Sequence, residues 1–219
     1  MHKYMNLLVF VWVIAWMVES QAAFGGWEPK LGNERLEEVP LLTELKGKVE
    51  DRAVQLKAVT AGIRVKKVVF VKAKVYVAEL LASTPEKFQK DEASALTSLQ
   101  EMDSVAMKLT FLRDVEAKSF RGAFLDGWKE NKISENDPWA KNFLEKILVL
   151  GEQKKGAQLL ILASKSKGGD LILVDNFNDK QLLFPAQPDD RRKVFSLWFG
   201  QPADSGLQDL KAKLLGKEK

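Results

Sequence analysis

No cysteine occurs anywhere in the 219 residues, and the only histidine is His2. The first absence excludes disulfides, thiol chemistry and zinc ribbons, and the second excludes histidine metal sites, Ser-His-Asp triads and imidazole proton shuttles. Tyrosine is nearly missing as well: Tyr4 and Tyr76 are the two in the chain. Chemistry after the first segment therefore falls to Arg, Lys, Asp, Glu, Ser, Thr, Asn and one Tyr. Charge of one sign is also lacking, because 34 basic and 30 acidic residues alternate along the chain for a net of +4. No arginine-aromatic alternation or long basic tract points to nucleic acid, and the mild excess describes a solvated surface with some affinity for anions.

One long apolar run is present, at the beginning. His2 and Lys3 precede Leu7–Val18, and Ser20-Gln21-Ala22 follow. A core of about a dozen apolar residues is short for a hydrocarbon layer of about 30 Å, and small residues three apart form a cleavage signal. Residues 1–22 are thus expected to be a signal peptide, and the protein to be secreted and periplasmic. No stable membrane span is expected after cleavage, which would remove one charge of each sign and leave the net at +4. Residues 23–48, with Gly25-Gly26, Pro29, Gly32 and Pro40, hold no sustained period and are expected to be a lead-in segment. One domain is expected over residues 49–219, starting near Val49.

Within that domain β-branched residues crowd 53–81, and Thr60-Ala61-Gly62 is expected to break one strand from the next. Over 69–77 one parity is Val69, Val71, Ala73, Val75 and Val77, and the other is Phe70, Lys72, Lys74 and Tyr76, the pattern of a strand with one buried face. Ser83-Thr84-Pro85-Glu86 and Asp91-Glu92-Ala93 look like helix starts. SVAMKLTFL over 104–112 alternates as a strand. The period then becomes helical through Phe120, Ala123, Phe124 and Trp128, and Asp137-Pro138-Trp139 caps another helix. Strands are expected at 158–164, 170–174 and 182–184, then a helix after Asp189-Asp190 and a last one over about 204–215. Strands at both ends with helices between them, and no regular βαβ alternation, define the fold class as α+β with a large antiparallel β-sheet.

Several motifs carry less than they suggest. Asp175-Asn176-Phe177-Asn178-Asp179 fails as a calcium loop because Phe177 takes a ligand place and no distal glutamate completes it, so a turn is expected. Lys165–Gly169 lacks the ending of a phosphate cradle. Arg113 and Asp114, being adjacent in an extended chain, are expected to make separate contacts. Arg64 and Tyr76 admit two readings. Both can be exposed, beside Lys66 and beside Lys72 and Lys74. Alternatively Arg64 is buried and needs a carboxylate from the protein or from a ligand, with the Tyr76 hydroxyl sharing it.

Gly62-Ile63-Arg64, Lys74-Val75-Tyr76-Val77-Ala78, Phe111-Leu112-Arg113-Asp114-Val115 and Val194-Phe195-Ser196-Leu197-Trp198-Phe199-Gly200, in that order, resemble segments of the chalcone isomerase-like family. The likeness covers about residues 50–216. It implies an open-faced sandwich, with helices layered on one face of the sheet. It also implies a cleft between sheet and helices that in some members closes a chalcone to a flavanone and in others binds a fatty acid. Arg64 matches the arginine that anchors a ligand carboxylate. Tyr76 stands where the enzymes have a catalytic threonine, Leu197 stands where they have a second threonine, and no later tyrosine exists to position water. The resemblance therefore implies a fatty acid or similar amphipathic carboxylate as partner, with no catalytic residue, cofactor or metal. Arg64 and Tyr76 would hold the head, and Leu197, Trp198, Phe120 and Phe124 would line the tail site. An isomerase or lyase acting on another substrate and an envelope interaction module are the alternatives.

Overall fold

The computed structural model describes residues 26–68, 71–178 and 180–217. The expected signal peptide lies outside them, as do Val69, Phe70 and Asp179. Eight strands form one antiparallel sheet in chain order: β1 (Glu28–Leu36), β2 (Val39–Val49), β3 (Arg52–Val68), β4 (Val71–Ala82), β5 (Ser104–Phe111), β6 (Gln158–Ser166), β7 (Gly169–Asp175) and β8 (Gln181–Ala186). The helices are α1 (Ala95–Glu101), α2 (Ala117–Glu130), α3 (Pro138–Lys146), α4 (Pro188–Phe199) and α5 (Ser205–Leu214). The expected α+β class, with helices layered on one face of a large antiparallel sheet, is the observed one.

Local chemistry accounts for the helix limits. Asp137 caps α3 by accepting from Ala140 N at 2.9 Å, and Pro138 fills the first turn where no N–H is needed. Asp190 in the first turn of α4 accepts from Gln187 N at 2.8 Å. The stretch after Thr84 yields only a short 3-10 turn, Pro85–Lys87, and α1 starts at Ala95, later than Asp91 suggested. Asp91 instead closes a turn by accepting from the backbone N–H groups of Ala93 and Ser94.

Every residue of β5 is buried, so the sheet is covered on both faces. On the helix side the rings of Phe120, Phe124 and Trp128 from α2, Phe143 from α3 and Trp198 from α4 pack on the alternate residues Leu80, Met107, Leu109 and Ile161. The other face is closed by the sheet's own first strands. Leu42, Leu45, Val54 and Leu56 from β2 and β3 meet Ala106, Leu160, Leu162 and Leu173 from β5 to β7. Two long-range bonds pin this curl: Trp27 Nε1 donates to Asp175 Oδ2 at 2.9 Å, and Leu42 N donates to Glu79 Oε2 at 2.7 Å.

The sheet thus begins at Glu28, ahead of the start near Val49 that periodicity suggested. β1 is a mostly exposed edge whose register is broken around Leu31, and β2 carries Pro40, so neither keeps a clean two-residue period. The expected break at Thr60-Ala61-Gly62 is also absent, because β3 runs straight through it. Gly62 serves a close approach instead: a Cβ there would lie 2.8 Å from Leu210 Cδ1 of α5.

Candidate functional site

Arg64 and Tyr76 sit opposite each other on the β3–β4 ladder. Tyr76 is in turn opposite Phe111, the last residue of β5. This rung is therefore the final one shared by three strands. Immediately outside it the register slips, since Val65 pairs with Lys74 and skips Val75. A bulge at such a point bends the strand and re-aims its neighbours.

Both side chains are buried, so of the two readings left open by the sequence the buried one holds. The Arg64 guanidinium points to the start of α5. Nη2 lies 2.5 Å from Asp204 Oδ2, and Nη1 donates to Val65 O at 2.5 Å. Asp204 also caps α5, its Oδ1 accepting from Leu207 N at 2.9 Å. The helix can dock this closely because residue 206 is glycine; any side chain there would collide with Val65 O and Arg64 Nη1. Burial pushes the Asp204 carboxyl up, but the Leu207 N–H and Arg64 outweigh it and hold it below the usual carboxylate range.

Tyr76 lies against the aromatic interior. Its ring meets Phe111 edge to face at 6.1 Å, and its hydroxyl accepts from Trp198 Nε1 at 3.2 Å. Among the described residues nothing accepts the hydroxyl proton, so a donor remains available beside Arg64. Burial raises the Tyr76 pKa, Arg64 and the Trp198 N–H oppose that rise, and Asp204 adds to it. The phenol is therefore a neutral donor across the ordinary pH range.

The residues assigned to the tail site lie on α2 and α4 behind this rung. Phe120 and Phe124 meet edge to face at 5.5 Å, and Phe124 meets Trp198 at 6.1 Å. Leu197 seats on Gly127, where a Cβ would come within 2.8 Å of its Cδ1. The structure joins Trp198 to Tyr76 directly and Phe120 to Tyr76 through Phe111, whereas Leu197 is occupied in packing α4 on α2. Asp204 escaped sequence reasoning as a site residue. Its place at the head of the last helix marked it as a cap, but nothing local tied it to an arginine 140 positions away.

The other motifs resolve as structural contacts. Asp114 accepts from Lys155 N and pairs with Lys154, apart from Arg113. In the β7–β8 turn Asp175 Oδ1 accepts from Phe177 N, and Asn176 Oδ1 accepts from Asn178 N and Lys180 N. Among the described residues no cluster of three acidic or metal-ligating side chains could hold a metal ion. Among them, too, no helix is long and apolar enough to cross a membrane.

An eight-stranded antiparallel meander with helices layered on one face is a fold shared with known proteins. A family model described as chalcone isomerase-like matches residues 43–216, and the chain belongs to that family. No curated protein matches the chain. Among solved structures, it is similar to the crystal structure of a fatty-acid binding protein from Arabidopsis thaliana. The identity is 16% and the TM-score 0.53, over 73% of this chain and 86% of that one. At that identity the likeness is one of fold.

Proposed function

We propose that this protein binds a fatty acid or similar amphipathic carboxylate and does not turn it over. The observation that carries this reading is the rung itself, a buried guanidinium beside a buried phenol whose proton has no acceptor among the described residues. A buried donor left unmatched costs about 1–3 kcal/mol, so the arrangement favours an incoming acceptor. The ligand carboxylate takes the Tyr76 O–H and Arg64, displacing Asp204, whose half-exposed side chain returns to water. Its alkyl chain follows the aromatic rings of Phe120, Phe124 and Trp198.

Absence of turnover is supported by the missing donors. Electrostatic stabilisation of a developing oxyanion uses several preorganised groups, each worth about 10²–10³ in rate. By the family resemblance Tyr76 and Leu197 stand where the catalytic relatives have threonines, and no tyrosine follows Tyr76 in the sequence. The N-terminal run Leu7–Val18 supports export to the periplasm, where such a carrier would work.

Native mass spectrometry with lipid extraction, on protein purified without detergent, tests the reading. Wild type is expected to carry a carboxylate of defined mass that Arg64→Ala loses. A wild type that is empty and silent to added fatty acids would sink it. Product formation that Tyr76→Phe abolishes, with binding intact, would turn the carrier into an enzyme.

A further inference from the structure

Beyond the Arg64–Tyr76 rung the β3–β4 hairpin leaves the body of the protein. β3 has no β2 partner past Lys57, and β4 has no β5 partner before Tyr76. Residues 65–68 and 71–74 therefore form a two-stranded arm paired as strands only with each other, rooted at Val75, whose carbonyl accepts from Leu112 N at 2.9 Å. Its sequence from Val65 to Lys74 is VKKVVFVKAK, with four lysines and no acidic residue. Between the two strands the sequence holds no Gly, Asn or Asp, and four apolar residues run consecutively from Val68 to Val71. Val71 is the most exposed large apolar side chain among the described residues, at 66%.

We propose that this arm is a docking surface for an anionic lipid bilayer. The chemistry is layered in the required order. Strands rise about 3.4 Å per residue, so Lys66, Lys67, Lys72 and Lys74 stand within about 10 Å of the Val68–Val71 pair that ends the described ladder. That is the depth separating acyl chains from headgroup phosphates for an interfacially bound segment. Among the described residues Lys66, Lys67 and Lys72 have no carboxylate partner, while Lys74 pairs with Glu37 at 2.7 Å. Across a groove of about 860 Å³ the arm faces Lys211, Lys213 and Lys217, but Glu37, Glu92, Asp204 and Asp209 line the same groove and Lys211 and Lys217 pair with Glu92, so the stretch of one sign is the arm itself. A second copy of the chain is a poor occupant, because a two-fold contact would set these lysines against themselves. The inference stands on the arm's shape and charge and does not depend on what the cleft holds.

Vesicle co-sedimentation of the full chain tests it. Vesicles of phosphatidylcholine with one-third phosphatidylglycerol are expected to sediment the protein, and pure phosphatidylcholine to do so far less. Each lysine near an anionic surface is worth about fivefold in binding, so the triple variant Lys66→Glu, Lys67→Glu, Lys72→Glu should lose more than about a hundredfold. Val71→Ser should lose up to about tenfold through its apolar contact alone. A control with the same charge change on exposed lysines elsewhere, Lys118→Glu, Lys129→Glu, Lys141→Glu, should stay within a few-fold of wild type. The apolar N-terminal run is common to every variant, so the differences report the arm. No sedimentation with anionic vesicles overturns the proposal, as does equal loss in the control. Binding indifferent to Val71→Ser and matched by duplex DNA would make the arm a general polyanion site, and would overturn it too.

Discussion

Among the described residues two arginines are buried, and they are buried differently. Arg191 on α4 is wholly enclosed. Its Nε lies 2.8 Å from Asp170 Oδ2, its Nη2 donates to Oδ1 at 3.0 Å, and its Nη1 donates to the carbonyls that end α1, Met102 O among them at 2.5 Å. Asp170 is buried too, and burial lowers the guanidinium's pKa against the pull of that carboxylate. Arg64 has one carboxylate partner, and that partner's side chain is 42% exposed. Burial alone does not make a site. An enclosed arginine whose carboxylate is itself buried is part of the scaffold, whereas one held by a partner that water can reclaim can exchange it for a ligand.

The sharpest way to break this comparison is to delete each arginine. Arg191→Ala strands the Asp170 carboxylate in the interior and should cost about 3–5 kcal/mol. Arg64→Ala leaves Asp204 to hydrate while it continues to cap α5, and should cost about 1–2 kcal/mol. Urea denaturation measures both. Equal losses would mean that Arg64 is scaffold as well, and the ligand reading would lose its motive.

That difference was invisible in the sequence. The ladder from β5 to β7, α3 and the last helix were legible because their apolar residues keep a period of two or of three to four, and because Asp137-Pro138 announces a cap. The curl of β1 and β2 over the second face was not, since Gly32, Pro40 and charged edge residues erase the period. One consequence concerns Lys108. In SVAMKLTFL it occupies a polar parity that alternation sends to solvent, yet it is buried with Glu79, 2.6 Å away, under Leu42. Arg64 and Tyr76 were legible as candidates through family resemblance, and the structure adds that they share one buried rung. Asp204 and Asp170 were not, because each meets its arginine only through tertiary folding.

A smaller effect is expected from Asp204→Asn, which sharpens the comparison by removing the competitor without deleting the anchor. Asparagine caps helices as well as aspartate does, so stability should change by less than about 1 kcal/mol. Affinity for a fatty acid should rise, read by titration with a fluorescent analogue. The same variant isolates a pH dependence. A carboxyl held below its ordinary value stabilises the fold above about pH 4, and that contribution is lost as pH falls through the lowered value. Other lowered carboxylates, Asp137 among them, remain in both proteins, so Asp204→Asn should show a smaller acid loss than wild type, and the difference is the Asp204 share. If the variant binds no better, Asp204 belongs to the scaffold with Asp170.

The smallest signal is a titration of the phenol, and it tests the other half of the rung. Subtracting the 295 nm absorbance of Tyr76→Phe from that of wild type isolates Tyr76 from Tyr4. Because burial favours the neutral form, no ionisation should appear at pH 10 while the protein is folded. The unfolded chain does release its proton near pH 10. Stability from this group is therefore intact below that pH and lost as pH rises beyond it. Saturation with a fatty acid should move the transition higher, since an anion beside the hydroxyl penalises phenolate, and Asp204→Asn should move it lower. A transition at the free-tyrosine value would mean water reaches the hydroxyl, leaving Arg64 without the neutral donor that distinguishes it from Arg191.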